Sequence, residues 1–231
     1  MSSDEKLSRL NRTIINCRLC SRLVEWREEI ARIKVARFRD EAYWGKPVPG
    51  FGDSSARVLI VGLAPAAHGA NRTGRMFTGD RSGEWMYRAL HKSGFSSQPV
   101  SLCRDDELHL NNCYITASVR CAPPANKPLP DELHNCRPYF LKELQYLKNI
   151  SVIVGLGKIA CDTIFAAYKQ SGMTELQRQV KFGHGVETRL NERQLLIASY
   201  HPSQQNTFTG KLTEPMFDAI FCRAREVVEV N

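Results

Sequence analysis

Four cysteines and three polar loops hold the residue types in this sequence that could do chemistry. Cys17 and Cys20 are separated by two residues and Cys121 and Cys136 by 14. Each pair falls at a loop or a helix end, where four thiolates can converge on a cubane iron–sulfur cluster or on a tetrahedral zinc ion. Unrelated buried thiols would give the same count, because free Cys packs as a small hydrophobe, and spacing alone leaves all three readings open. Cys103, Cys113, Cys161 and Cys222 have no partner at ligand spacing, and Cys113 and Cys161 are expected in the core of a strand and a helix.

The first loop, Gly62, Leu63, Ala64, Pro65 and Ala66 running on to His68, is built of small residues that let backbone N–H groups approach a ligand. His68 is its only titratable group, and packing on the loop is as good an account of it. The second stretch sets Phe77 and Asp80 between glycines just before a helical pattern. A ring held there can stack on a base. An acid there can serve a reaction, or simply cap the helix that follows. Near the middle of the chain Asn126 and Lys127 follow two prolines in a stiff basic turn. The third loop offers an imidazole, a hydroxyl and three amides in six positions: His201, Ser203, Gln204, Gln205 and Asn206. An imidazole at the end of a strand can donate a hydrogen bond to charge developing on a leaving group.

These loops need a scaffold. Short continuous apolar runs at Arg57–Val61, Cys113–Ala117, Val152–Val154 and Leu195–Ala198 read as buried strands. Helical patterns lie near Gly83–Lys92, Pro130–Lys148, Lys158–Lys169 and Glu214–Val228. Leu7, Leu10 and Ile14, then Leu23, Trp26, Ile30 and Ile33, predict two further helices between about Ser3 and Phe38, interrupted at the Cys17–Cys20 pair. Strand alternating with helix implies a parallel sheet covered on both faces, with ligands beyond the carboxyl ends of the strands. The segments Gly62–Asp80, Ser118–Pro128, Gly155–Lys158 and Ser199–Asn206 follow such ends, and the polar loops lie within them.

With 231 residues, 42% of them apolar and 24% charged, the chain suits one soluble α/β domain spanning 1–231 and one active site. No apolar run approaches the roughly 18 residues of a membrane span, and the charged start lacks a secretory h-region. A cytoplasmic protein without a disulfide framework is therefore expected. A formal charge of +8 favours an anionic partner, without choosing among DNA, RNA and a small anion.

Taken together, the Gly62–Ala66 loop, the Phe77–Asp80 loop, the Asn126–Lys127 turn, the His201–Asn206 loop and the cysteine quartet resemble the iron–sulfur uracil-DNA glycosylases, most closely the family 5, or B-type, branch. The likeness runs from Cys17 to about Thr213. It implies a three-layer α/β/α sandwich around a four-stranded parallel sheet, and a structural 4Fe-4S cluster on Cys17, Cys20, Cys121 and Cys136 in preference to zinc. It also implies a monomer that needs no nucleotide cofactor, acting on DNA that contains uracil or another deaminated base. Family 4 relatives carry a Glu and an Asn where this chain has Leu63 and Ala117, so its base pocket is expected to be less selective and to admit hypoxanthine.

The expected roles follow from the reaction, which places cationic character on the sugar and negative charge on the leaving base. Asp80 orients water or stabilises the sugar, His201 donates to the base carbonyl, and Asn126 holds water or nucleotide. Phe77 stacks on the everted base beside the wall of Gly62–Ala66, His68 and Ala117. Ser203 and Lys127 meet phosphate, while Gln204, Gln205 and Asn206 face the gap in the duplex. No lysine is placed to form a Schiff base, so an abasic product without strand cleavage is expected. Two rivals stand beside this reading: a nucleic-acid binder stiffened by a four-cysteine metal site, and a small-molecule enzyme using Gly155 and Gly157 as a phosphate loop.

Overall fold

The computed structural model describes residues 1–178 and 180–230. Four buried five-residue strands, β2 (Val58–Gly62), β3 (Cys113–Ala117), β4 (Val152–Leu156) and β6 (Leu195–Ser199), lie parallel in the order β3-β2-β4-β6. Two short antiparallel strands, β1 (Phe51–Gly52) beside β3 and β5 (Glu187–Arg189) beside β6, extend this core to six strands. The four-stranded parallel sheet expected from the sequence is thus the centre of a larger mixed one. The additions carry little sequence signal: β1 has two residues, and β5 is Glu-Thr-Arg with only Thr188 buried.

Side chains alternate across each central strand, as the two-residue period requires. Val58, Ile60, Cys113, Ile115, Val152 and Val154 enter one apolar core, with helices α4 (Arg81–Lys92) and α8 (Glu214–Val230) against them. Leu59, Val61, Tyr114, Ile153 and Leu196 enter the other, covered by α5 (Pro130–Tyr146), α6 (Lys158–Gln170) and the N-terminal α1 (Ser3–Ile15). Burial on both faces explains why the strands read as unbroken apolar runs.

The chain turns between α1 and α2 (Ser21–Ile33), setting Cys17 and Cys20 in the connection as the periodicity predicts. Two short helices, α3 (Ala70–Thr73) and α7 (Gln204–Phe208), form inside stretches read from sequence as loops. Gly157 has φ +90° and starts α6, and a Cβ at Gly155 would stand 2.5 Å from the Cys161 sulfur. These glycines therefore serve the packing of α6 on the sheet. Among the described residues, no helix is long and apolar enough to cross a membrane.

Candidate active site

Beyond the carboxyl ends of the central strands lies a cavity of about 540 Å3. Its floor continues the sheet: Gly62 O accepts from Ser118 N and Leu63 O from Val119 N at 2.9 and 3.0 Å, so the loop leaves β2 still paired to the chain after β3. Gly62, Leu63, Ala64, Pro65, Ala66 and Ala117 make a wall with no side-chain donor or acceptor.

Asp80 stands at the N-cap of α4, where its Oδ1 accepts from Gly83 N at 2.9 Å. The capping role weighed from sequence and a place on the cavity wall are therefore both realised, because the cap employs one carboxylate oxygen. The other lies over Gly69, at which a Cβ would come within 2.0 Å of Oδ2. Burial pushes the Asp80 carboxyl above its ordinary value, against the pull of the N–H groups of Gly83 and Ser82.

Phe77 adopts φ 54°, a conformation a bulky residue takes only when its surroundings enforce it. Here the enforcement is visible. Arg75 donates to Thr78, Ser101 and Asp106, fixing the loop from below, and Gly62 leaves room for the ring, whose edge would lie 2.8 Å from a Cβ there. The ring of Phe77 faces that of His201 with centroids 6.1 Å apart. Burial drives the His201 imidazole down to about 4, so it is neutral at physiological pH. Asn126, also left-handed at φ 55°, completes the ring of polar groups on the wall.

Asp80, His201, Asn126 and Phe77, from three separate loops, thus line one cavity, joined by Ser203, Gln204 and Gln205. Three other residues singled out from sequence, His68 for the wall and Asn206 and Lys127 for DNA, do not line the cavity. His68 turns away: its Nδ1 meets Tyr43 Oη at 3.1 Å and its carbonyl accepts from Arg72 Nε. Asn206 turns inward, its Nδ2 donating to the His201 carbonyl at 2.8 Å, which makes it a support for the imidazole loop. Lys127 is exposed and off the wall, and its carbonyl accepts from Arg22. Sequence reasoning missed Ala70, Met76, Arg81 and Ser82, which do line the cavity. Arg81 and Ser82 directly follow Asp80, so the first turn of a capped helix was the signal available.

Cys17, Cys20, Cys121 and Cys136 converge elsewhere, on one small cage closed by Leu23, Arg27 and Arg120. Arg27 Nη1 donates to Cys121 Sγ at 2.8 Å and Asn135 Nδ2 to Cys20 Sγ at 3.5 Å. Both arginines are almost wholly buried, yet Arg27 Nε and the Nε and Nη1 of Arg120 have no partner. Unpartnered buried N–H groups of cations beside four thiols suit a body of net negative charge, such as thiolate-ligated iron and sulfide. Among the described residues, no group of three or more His, Cys, Asp or Glu could hold a single metal ion.

Fold and site together define a class: an α/β/α sandwich with a small cavity at its strand ends, carrying an acid, a neutral imidazole and a stacking ring, beside a four-cysteine cage. Residues 49–225 match the family described as the uracil DNA glycosylase superfamily, and the chain belongs to it. It is 49% identical over 223 residues to the type-5 uracil-DNA glycosylase of Mycobacterium bovis, covering 96% of this chain and 82% of that protein. Against the type-5 uracil-DNA glycosylase of Thermus thermophilus it is 50% identical over 215 residues, covering 93% and 95%. A type-4 uracil-DNA glycosylase of Archaeoglobus fulgidus is 30% identical over 157 residues, covering 68% and 70%.

Proposed function

We propose that this protein is a DNA-repair glycosylase that everts uracil from DNA and hydrolyses its N-glycosidic bond. The observation that carries the reading is the convergence of Asp80, His201, Asn126 and Phe77 on one cavity at the strand ends. Eversion leaves the base flat against Phe77, whose fixed backbone keeps the ring in place. As the bond breaks, the base gains negative charge and neutral His201 donates a hydrogen bond to it. A neutral donor suits this role because its proton is shared with the base without a buried cation having to form first. Asp80, with one oxygen free of the cap, faces the sugar, where its carboxylate form stabilises positive character and orients the attacking water. Asn126 holds that water or the nucleotide, and Ser203 takes a flanking phosphate.

The relatives' names and the family support uracil as substrate. Leu63 and Ala117 carry the reading further, to hypoxanthine and other deaminated purines: neither offers a polar group that would make the wall demand the edge of uracil. Cys17, Cys20, Cys121 and Cys136 would hold a 4Fe-4S cluster, with Arg27 and Arg120 facing its charge. The cluster's contribution is structural, tying the α1–α2 turn to the segment after β3. We place the enzyme in the cytoplasm, acting on DNA as a single-domain monomer without a nucleotide cofactor.

The test is direct. Purified protein is incubated with a duplex holding one uracil, or one hypoxanthine, then treated with alkali. Cleavage at the modified base only after alkali is expected for both, and no cleavage at uracil would overturn the proposal. Strict confinement to uracil would remove the hypoxanthine extension alone.

A further inference from the structure

Two side chains absent from the mechanism above meet at the mouth of the cavity. Arg81 opens α4 directly after Asp80 and lines the cavity, and Phe208 closes α7, whose first two residues, Gln204 and Gln205, line it too. The guanidinium carbon of Arg81 stands 4.5 Å from the centre of the Phe208 ring, spanning the gap between the acid loop and the imidazole loop. Phe208 is 67% exposed, although it belongs to a residue type that normally buries its ring. Arg81 covers one face and leaves the other to solvent. Among the described residues, the Arg81 side chain forms no salt bridge or hydrogen bond, and the Phe208 ring is the one group its guanidinium engages.

A free cation at the mouth of a site that takes in an everted nucleotide first meets the phosphates on either side of that nucleotide. Those phosphates belong to the damaged strand. A ring already stacked on that cation lies within reach of the base that the same phosphate carries, and its free face is available for it. We propose that Phe208 is the stacking platform for the base neighbouring the everted nucleotide on the same strand, with Arg81 on the intervening phosphate. The assignment rests on the glycosylase reading above and adds a second aromatic contact outside the base pocket.

The probe is an oligonucleotide bearing a tetrahydrofuran abasic analogue, with 5-iodocytosine placed either beside it or on the opposite strand. Irradiated with wild-type protein, the same-strand neighbour is expected to cross-link to Phe208, and the opposite-strand base is not. Phe208→Ala should abolish that cross-link and weaken binding about 5- to 150-fold, the range a single base–aromatic stack supports. Phe208→Trp should restore both. The loss should be as large with single-stranded probe as with duplex, since only one strand is touched. Arg81→Gln should lower the salt dependence of duplex binding by about one unit of slope.

Unchanged affinity in Phe208→Ala, or a cross-link only from the opposite strand, would overturn the assignment. Because Phe208 is exposed, the variant should melt with wild type, and a Phe208→Leu variant that folds but also loses the cross-link provides the control for local collapse. Failure of wild type to release uracil would instead sink the glycosylase reading, while uracil release with unaltered Phe208→Ala binding would sink the platform alone.

Discussion

At the scale of the residue, the cap that Asp80 makes and the catalytic role proposed for it can be separated. Asn caps helices as well as Asp does, so Asp80→Asn should keep α4 within about 1 kcal/mol of wild type, while excision falls by roughly 10²- to 10⁴-fold. Single-turnover release of uracil, measured beside a denaturant melt, checks both halves. Gly69→Ala reaches the same carboxylate from behind: its Cβ would stand 2.0 Å from Oδ2 and must displace it. His201 yields a pH prediction. Its folded pKa of about 4 lies below the ordinary 6.5, so between these values the unfolded chain binds the extra proton. Stability therefore rises with pH across that window, and is lost as pH falls from about 6.5 to about 4, by up to about 3 kcal/mol. Melting temperature against pH should show this slope in wild type and a flatter one in His201→Asn.

At the scale of the element, the segment after β3 is fixed by a buried pair. Arg120 and Glu143 are both essentially inaccessible, and Glu143 also accepts from Thr116 at 2.7 Å. Arg120→Met would leave a buried carboxylate without its cation, which costs about 3–5 kcal/mol. Chemical denaturation should show a loss of that size, with partial recovery in the Arg120→Met/Glu143→Gln double variant. The same elements show what the sequence disclosed. Strands β2, β3, β4 and β6 were legible because burial on both faces makes them unbroken apolar runs, and α4 because Asp80 and Gly83 punctuate its start. β1 and β5 were not, since an edge strand of two or three partly polar residues is held by its neighbour's register and has no pattern of its own. At the site, residue type announced Asp80, His201 and Phe77, but the direction of a side chain is decided by its partners. His68 and Asn206 belong to the right loops and point elsewhere because Tyr43 and the His201 carbonyl hold them.

At the scale of the whole molecule, the cysteine cage joins segments far apart in sequence: two of its cysteines precede the sheet, and two come from the segment after β3 and from α5. With the proposed cluster on these cysteines, removing the iron from as-purified protein should lower its melting temperature and leave the buried Arg27 without the anionic body it faces. Arg27→Met should lose its brown absorbance faster under chelation than wild type; equal rates would deny the guanidinium a part in retention. The two rims of the sheet bear on conduct in concentrated solution. β1 stops after two residues at Gly52, and β5 turns Glu187 and Arg189 outward, with Glu187 held by Arg223 of α8. Neither rim offers a long, flat, apolar ladder for a second chain to extend. The four apolar inner strands are in this way kept from edge-to-edge pairing with a second copy of the chain.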